Sequence, residues 1–208
     1  MSSGKPWRSA SGHGIVPAME DKRPRRRPIR KLTPERLENA ALHYLERYAS
    51  SAENLRRVLL RRVERAARLA DQAHSDQERT EPMRWVDAIV KRYVASGLLN
   101  DRAYAEAASA SLRRQGRSAR AIRQKLATKG IGREAAEAAL IETDGADAAA
   151  ELRAAMALAR KRRLGPFGPA GQRRERRARD LASLARAGFS YDTARRVIDA
   201  REDELIER

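Results

Sequence analysis

Apolar residues recur at helical spacing over most of the chain. Thr33 and Pro34 supply an N-cap and a proline at the first helical position. The apolar face of the first predicted helix follows as Leu37, Ala41, Tyr44, Leu45 and Tyr48. Ser51 is predicted to cap a second helix, whose apolar face is Leu55, Val58, Leu59, Val63 and Ala66. A third predicted helix ends at Gly97 and carries Val86, Ile89, Val90, Tyr93 and Val94.

The same pattern restarts at Asn100 and Asp101, either of which can cap a helix. Three helices are predicted there, with apolar residues at Tyr104, Ala105, Ala108 and Leu112, then Ile122 and Leu126, then Ala136, Ala139 and Leu140. Ser118 is predicted to cap the second of them. Beyond Gly145 three more are predicted from Leu152, Ala155, Met156 and Ala159, then Leu181, Leu184 and Ala185, then Ala194, Val197 and Ile198. The residues predicted to form the core are Leu55, Leu59, Ile122, Leu126, Leu184 and Val197. No segment alternates as a strand does, so the fold class is all-α.

Two segments lack this apolar period. Residues 1–31 contain Gly, Ser and Pro at intervals and are predicted to be disordered. Residues 22–31 carry seven Lys or Arg, which makes this segment either a phosphate-binding arm or a solvated basic tail. Residues 71–82 are polar and non-periodic, and they are predicted to form a long loop or insertion.

An internal repeat organises the predicted helices. Residues 51–59 align with 118–126, and residues 126–140 match 184–198 in their glycines and apolar positions. Shared composition explains part of this likeness, but the coincidence of caps, glycines and apolar positions favours a true repeat. We therefore predict three tandem three-helix units over residues 32–99, 100–143 and 144–208, forming an elongated, curved array.

The composition makes this array strongly basic. The 208-residue chain has 45 Lys or Arg against 28 acidic residues, a formal net charge of +17. Such a charge attracts polyanions such as DNA or RNA. An anionic membrane would attract it too, but no run approaches the roughly 20 apolar residues that span a bilayer. The absence of cysteine and of an apolar signal segment fits a cytoplasmic protein.

The basic residues cluster instead of spreading evenly. Between Ala107 and Arg133 there are eight Lys or Arg and no acid. We expect these cations, with their counterparts in the other units, to face solvent and contact DNA or a DNA-bound partner. The candidate contact residues are Arg120, Arg123, Lys125, Arg113, Arg114, Arg117, Arg56, Arg57, Arg61, Arg162 and Arg163. A merely solvated helix face is the other interpretation, which the missing acids make less favourable.

Catalytic motifs are missing from the sequence. The histidines, His13, His43 and His74, show no metal-ligand spacing. The glycines at Gly165, Gly168 and Gly171 match neither a P-loop nor a dinucleotide-binding turn, because no strand precedes them. We therefore expect a protein that is not an enzyme and holds no metal or cofactor.

Several segments together resemble the RecX family of regulatory proteins. These segments are Gly97-Leu98-Leu99-Asn100-Asp101 with Tyr104-Ala105, the spacing of Ser118, Ile122, Leu126, Gly130 and Ile131, then Arg162-Arg163-Leu164-Gly165-Pro166 and Gly188-Phe189-Ser190-Tyr191. The resemblance covers about residues 33–201 and includes the nine-helix arrangement. The basic arm and the polar segment at 71–82 lie outside it.

The resemblance implies a cytoplasmic modulator of the RecA recombinase. We expect it to be a monomer, because the sequence shows no heptad and no dimer face. It would bind the RecA–DNA filament along its groove, with contacts to single- or double-stranded DNA, and inhibit ATP hydrolysis, strand exchange and SOS co-protease activity. A general sequence-independent DNA-binding or nucleoid-associated protein is the alternative that the charge alone supports. A helix-turn-helix repressor fits less well, since no dimer face is evident.

Overall fold

A computed structural model describes residues 32–69, 76–145, 147, 149–169 and 171–200 of the chain. In these ranges the backbone forms nine α-helices and one short 3-10 helix, Gly165–Phe167. The helices are α1 (Pro34–Leu45), α2 (Ala52–Leu69), α3 (Asp76–Ala95), α4 (Asp101–Arg114), α5 (Ala119–Thr128), α6 (Arg133–Asp144), α7 (Ala150–Arg162), α8 (Arg173–Arg186) and α9 (Tyr191–Ile198). The all-α prediction is confirmed; the predicted arm at 1–31 lies outside the described residues.

The helix starts follow the caps that the sequence indicated. The Thr33 hydroxyl accepts a hydrogen bond from the backbone N–H of Arg36, and Pro34 is the first residue of α1. Ser118 caps α5 by accepting from Ala121 N at 3.1 Å. The first helix is shorter than predicted, because it ends at Leu45 and Tyr48 lies in the turn beyond it.

The prediction of a long loop or insertion at 71–82 is wrong for residues 76–82, which belong to α3. Residues 76–82 are helical and continuous with the rest of α3, while 71–75 lie outside the described residues. Glutamine, glutamate and arginine in this stretch are good helix formers, so the backbone needs no apolar face to adopt a helix here. No residue from Thr80 to Trp85 is buried, and Val86 is the first buried side chain described in α3. Apolar periodicity therefore could not reveal these early turns.

Three separate hydrophobic clusters hold the described helices together. One is built on α1–α3, one on α4–α6 and one on α7–α9. The sequence predicted six core residues, and all are at most 1% exposed: Leu55, Leu59, Ile122, Leu126, Leu184 and Val197. Many other core positions are alanines, which bury little area each and allow helices to approach closely. We interpret each cluster as the core of one three-helix unit.

The first two clusters are linked at the start of α2. The Ser51 hydroxyl donates to the carbonyl of Lys129 at the end of α5, and the backbone N–H of Ala52 donates to Asp101 Oδ1 at 2.8 Å. Gly130 lies directly against the Glu53 side chain and has a φ of +78°. These contacts satisfy helix-end groups that have no partner within their own helix. We call this arrangement the first joint.

The same arrangement recurs between the second and third clusters. The Ser118 hydroxyl donates to the carbonyl of Ala187 at 2.7 Å, and the backbone N–H of Ala119 donates to Glu151 Oε2 at 3.1 Å. Gly188 takes the place of Gly130 and lies against Ser118 and Arg120. This second joint therefore repeats the serine, the acidic residue and the left-handed glycine of the first.

Candidate polyanion-binding surface

The outer face of α5 presents cations to solvent. Burial of Ile122 and Leu126 fixes the rotation of α5, which leaves Arg120 and Lys125 exposed away from the core. Arg114 and Arg117, before α5, are exposed as well. Among the described residues, none of the four side chains has an ion-pair partner, and all four belong to the predicted contact set. We call exposed cations of this kind open cations, and their charges are free to bind an external anion.

Arg123 lies on the same helix but is already paired. Its Nε and Nη2 donate to the two carboxylate oxygens of Glu137 on α6 at 2.6 and 3.1 Å. The hydrogen bond from Arg123 lowers the pKa of Glu137 below its usual range. An anion that binds Arg123 must therefore share it with Glu137 or displace that carboxylate.

A groove between α5 and α6 adjoins this pair. Its volume is about 560 Å³, and its lining is Arg123, Gln124, Ala127, Ile131, Arg133, Ala136 and Glu137. Ala127, Ile131 and Ala136 contribute apolar lining, and Arg123 and Arg133 contribute cations. Arg133 was absent from the predicted contact set, although its place in the acid-free stretch could have signalled it.

Arg113 departs from the expectation that the predicted cations face solvent. Its side chain is only 10% exposed and lies between the carboxylates of Asp144 and Glu151, each at 2.5 Å. It also donates to the carbonyl of Arg117 at 3.1 Å. Its hydrogen bonds are directed inward, so Arg113 is a structural residue of the second joint and is removed from the candidate surface.

The cations of α2 are only partly available. Arg56 binds Asp87 on α3 at 2.7 Å, in the position that corresponds to the Arg123–Glu137 pair. Arg57 binds Glu53 at 2.8 Å and donates to the carbonyl of Thr128 at 2.8 Å, across the first joint. Arg61 is exposed, like Arg120 and Lys125 of α5. Arg56 and Arg57 are each held by a different carboxylate, so the three α2 arginines do not form a single site.

The predicted cations of the third cluster lie at the end of α7 and in the turn that follows it. Arg162 donates to the Ser183 hydroxyl at 3.3 Å, and exposed Arg163 follows the end of α7. The turn is anchored by buried Asp180, whose carboxylate accepts from the backbone N–H of Gly165 at 2.9 Å. Arg160 stands over the ring of Phe167, 5.2 Å from its centroid. These contacts anchor the residues on either side of Arg163.

The comparisons with known proteins point to one family. The sequence model of the second three-helix domain of RecX matches residues 100–140, which contain α4, α5 and most of the open cations. A protein of Myxococcus xanthus (strain DK1622) named regulatory protein RecX is 49% identical over 183 residues, 86% of this chain and 94% of that protein. The chain belongs to the RecX family.

Two further RecX proteins agree with this assignment. The regulatory protein RecX of Agrobacterium fabrum (strain C58 / ATCC 33970) is 39% identical over 106 residues, 51% of this chain and 54% of that one. The crystal structure of RecX from Lactobacillus salivarius matches with a TM-score of 0.53 at 24% identity, covering 80% of this chain and 94% of that chain. The structural match supports the RecX fold.

The described residues contain no helix that could span a bilayer. No group of three His, Cys, Asp or Glu side chains there is arranged to hold a metal ion.

Arg163 offers a test in which stability and binding should move in opposite directions. It is the one non-glycine residue with positive φ (54°) in the described part of this RecX chain, whereas Gly97, Gly116, Gly130 and Gly188 occupy such positions after other helices. We expect Arg163→Gly to raise the free energy of unfolding by about 0.5–1 kcal/mol, because glycine adopts this backbone without a Cβ clash.

The same change should weaken DNA binding, because it removes an exposed positive charge. Chemical denaturation and a DNA titration measure the two effects, with Arg163→Lys as the charge-retaining control. A destabilised Arg163→Gly protein would contradict this interpretation.

Proposed function

We propose that this protein is a non-enzymatic regulator that binds the RecA–DNA filament along its groove. Binding would inhibit RecA ATP hydrolysis, strand exchange and SOS co-protease activity. The observation that carries this proposal is the set of exposed cations on and beside α5 that have no ion-pair partner in the part of the chain that the structure describes; they lie in the segment matched by the RecX domain model. Family membership supplies RecA as the partner, and the cations supply the chemistry of contact.

The repeated joints support this proposal in a second way. The same serine–carbonyl hydrogen bond links each hydrophobic cluster to the next. Joints of this kind would hold the cations of successive units at set positions relative to each other, as a regular, repeating partner requires. Several weak electrostatic contacts made at once give avidity that none of them provides alone.

The proposal is tested by the DNA-dependent ATPase activity of RecA. The full chain, added to RecA filaments on single-stranded DNA, is expected to reduce ATP hydrolysis as it reaches stoichiometry with the filament. Co-sedimentation under the same conditions should show the protein in the filament pellet. An unchanged ATPase rate at saturating co-sedimentation would refute inhibition while leaving filament binding intact.

Neutralising the open cations is expected to weaken filament and DNA binding without unfolding the protein. The variant Arg117→Gln, Arg120→Gln, Lys125→Gln removes side chains that are exposed and have no ion-pair partner among the described residues. If each contacts a phosphate of single-stranded DNA, the slope of log affinity against log salt should fall by about 2, at about 0.7 per contact. A salt titration of the oligonucleotide complex measures the slope.

A matched control removes the same charge elsewhere. Arg92, Arg102 and Arg153 are each more than half exposed, but each already faces a carboxylate, on Glu38, Glu106 and Asp147 respectively. Changing these three to glutamine should leave the salt slope nearly unchanged. Equal slopes for the two triple variants would show that net charge, and not the α5 surface, drives binding.

A general sequence-independent DNA-binding protein is the second candidate. The unpaired exposed cations favour it too, since phosphate contacts need no particular base sequence. Wild-type protein that binds DNA tightly and neither co-sediments with RecA beyond the DNA control nor alters its ATPase would establish this role instead. We propose that the protein acts as a monomer in either case.

A further inference from the structure

Two tyrosines beside the first joint form an open aromatic surface. The Tyr44 and Tyr48 rings have centroids 5.2 Å apart and planes inclined by 37°. Tyr48 is 57% exposed, in a chain where aromatic residues make up only 4%. Its backbone N–H donates to the carbonyl of Tyr44 at 3.0 Å, which fixes its place after the helix. A large ring is thus held in water at a defined position.

The repeat shows that the fold does not require these rings. Tyr44 and Tyr48 precede the joint serine Ser51 by seven and three residues. At the same distances before Ser118 the second joint has Ser111 and Gln115, whose side chains hydrogen-bond to each other at 3.4 Å. The serine–carbonyl contact forms in both places. Packing at a joint therefore does not explain the aromatic pair at the first one.

Positive charge lies next to the rings. The Asn54 side chain donates to the Tyr44 hydroxyl at 3.0 Å, and its carbonyl oxygen accepts from the Lys129 ammonium at 3.0 Å. The ammonium is thus one amide group away from the Tyr44 hydroxyl. Arg47, the neighbour of Tyr48, is exposed and has no ion-pair partner in the ranges that the structure describes. One cation is thus linked to the tyrosines through Asn54, and the other is the sequence neighbour of Tyr48.

We propose that the Tyr48 ring stacks on an unpaired base of single-stranded nucleic acid, while Lys129 and Arg47 attract the flanking phosphates. An exposed ring with adjacent cations is the arrangement that proteins use for bases not held in a duplex, because every base has a π-face. A duplex offers no such face at its sides. The inference deepens the proposed function and rests on its nucleic-acid contact, but it does not depend on inhibition of RecA.

The test replaces Tyr48 by glutamine in the full chain, because glutamine (Gln115) occupies the corresponding position beside the second joint. Tyr48→Gln should therefore fold normally, which thermal unfolding would verify. We expect it to bind a homothymidine oligonucleotide roughly tenfold more weakly, within the range of one lost base–aromatic stack. An abasic oligonucleotide of equal length should bind the variant and wild type alike. Tyr191→Gln, which removes a tyrosine that is 63% exposed in α9, is the matched control.

The possible results distinguish base stacking by Tyr48 from support of the adjacent cations and from a protein contact. Equal loss on the abasic strand would mean that Tyr48 supports the cations and does not stack on bases, which overturns the proposal. Unchanged oligonucleotide binding with weaker RecA co-sedimentation would make Tyr48 a protein contact, which also overturns it while the proposed function stands. A wild-type protein that binds oligonucleotides through Tyr48 but leaves RecA ATPase unaffected would support stacking and refute the inhibitory function.

Discussion

Replacing Arg113 with alanine is expected to lower the free energy of unfolding by about 3 kcal/mol. Its guanidinium is 10% exposed and supplies both Asp144 and Glu151 with hydrogen bonds, so its removal leaves two carboxylates close together without a cation. The effect should fall at the lower end of the range for a broken buried pair, because both carboxylates keep some contact with water. Chemical denaturation monitored by circular dichroism measures it.

Arg114 is the matched control for this prediction. It is the next residue, carries the same charge and is exposed. Arg114→Ala should change the unfolding free energy by less than about 0.5 kcal/mol, as surface substitutions usually do. If the two alanine variants prove equally stable, the ion pairs of Arg113 contribute nothing. If Arg113→Ala is destabilised as expected, a binding defect in that variant would result from impaired folding and not from the loss of a binding contact.

Gly130→Ala is expected to be the most damaging change at the first joint. A Cβ built on Gly130 would lie less than 3.0 Å from the Cβ of Glu53, an atom that cannot move without its backbone. The positive φ of 78° adds a cost of about 1–2 kcal/mol for any residue with a Cβ. We therefore expect a loss of at least about 3 kcal/mol, with the overlap added to the backbone cost.

Gly97→Ala separates those two causes. Gly97 has nearly the same φ, 76°, but a Cβ there would meet no atom within 4 Å. It should lose only the backbone cost of about 1–2 kcal/mol. The difference between the two variants measures the close approach of the first and second clusters. A difference near zero would mean that the joint yields easily, and the repeated contact would not hold the units in fixed orientation.

Local patterns in the sequence predicted most of the fold. Leu55 and Ile122 were identified as core because apolar residues at intervals of three and four can face only one side of a helix. Ser118 was identified as a cap because its hydroxyl satisfies a backbone N–H three residues later. Both inferences depend on residues close together in the chain, and the structure confirms them. The helical course of residues 76–82 was missed because helix propensity there has no apolar period to reveal it.

The candidate surface was less predictable, since its availability depends on residues far apart in the sequence. Nothing near Arg113 indicates that Asp144 and Glu151 come to meet it. The pairing of Arg123 with Glu137 spans two helices in the same way. A local absence of acids therefore predicts where cations accumulate, whereas only the packing of helices determines which of them remain unpaired.

The two joints also limit how the protein can assemble. Counted from Leu126 and Leu184, the counterpart of Ser118 in the third unit is Arg176, which lies inside α8. Counted from the two joint serines, the counterpart of Gly130 in the first unit is Val63, inside α2. Among the described residues, neither outer unit offers at these positions the half-contact that a further unit would need. We therefore expect the serine–carbonyl contact to link units within one molecule and not one molecule to the next, so that a long polymer would be covered by separate molecules with footprints of fixed size.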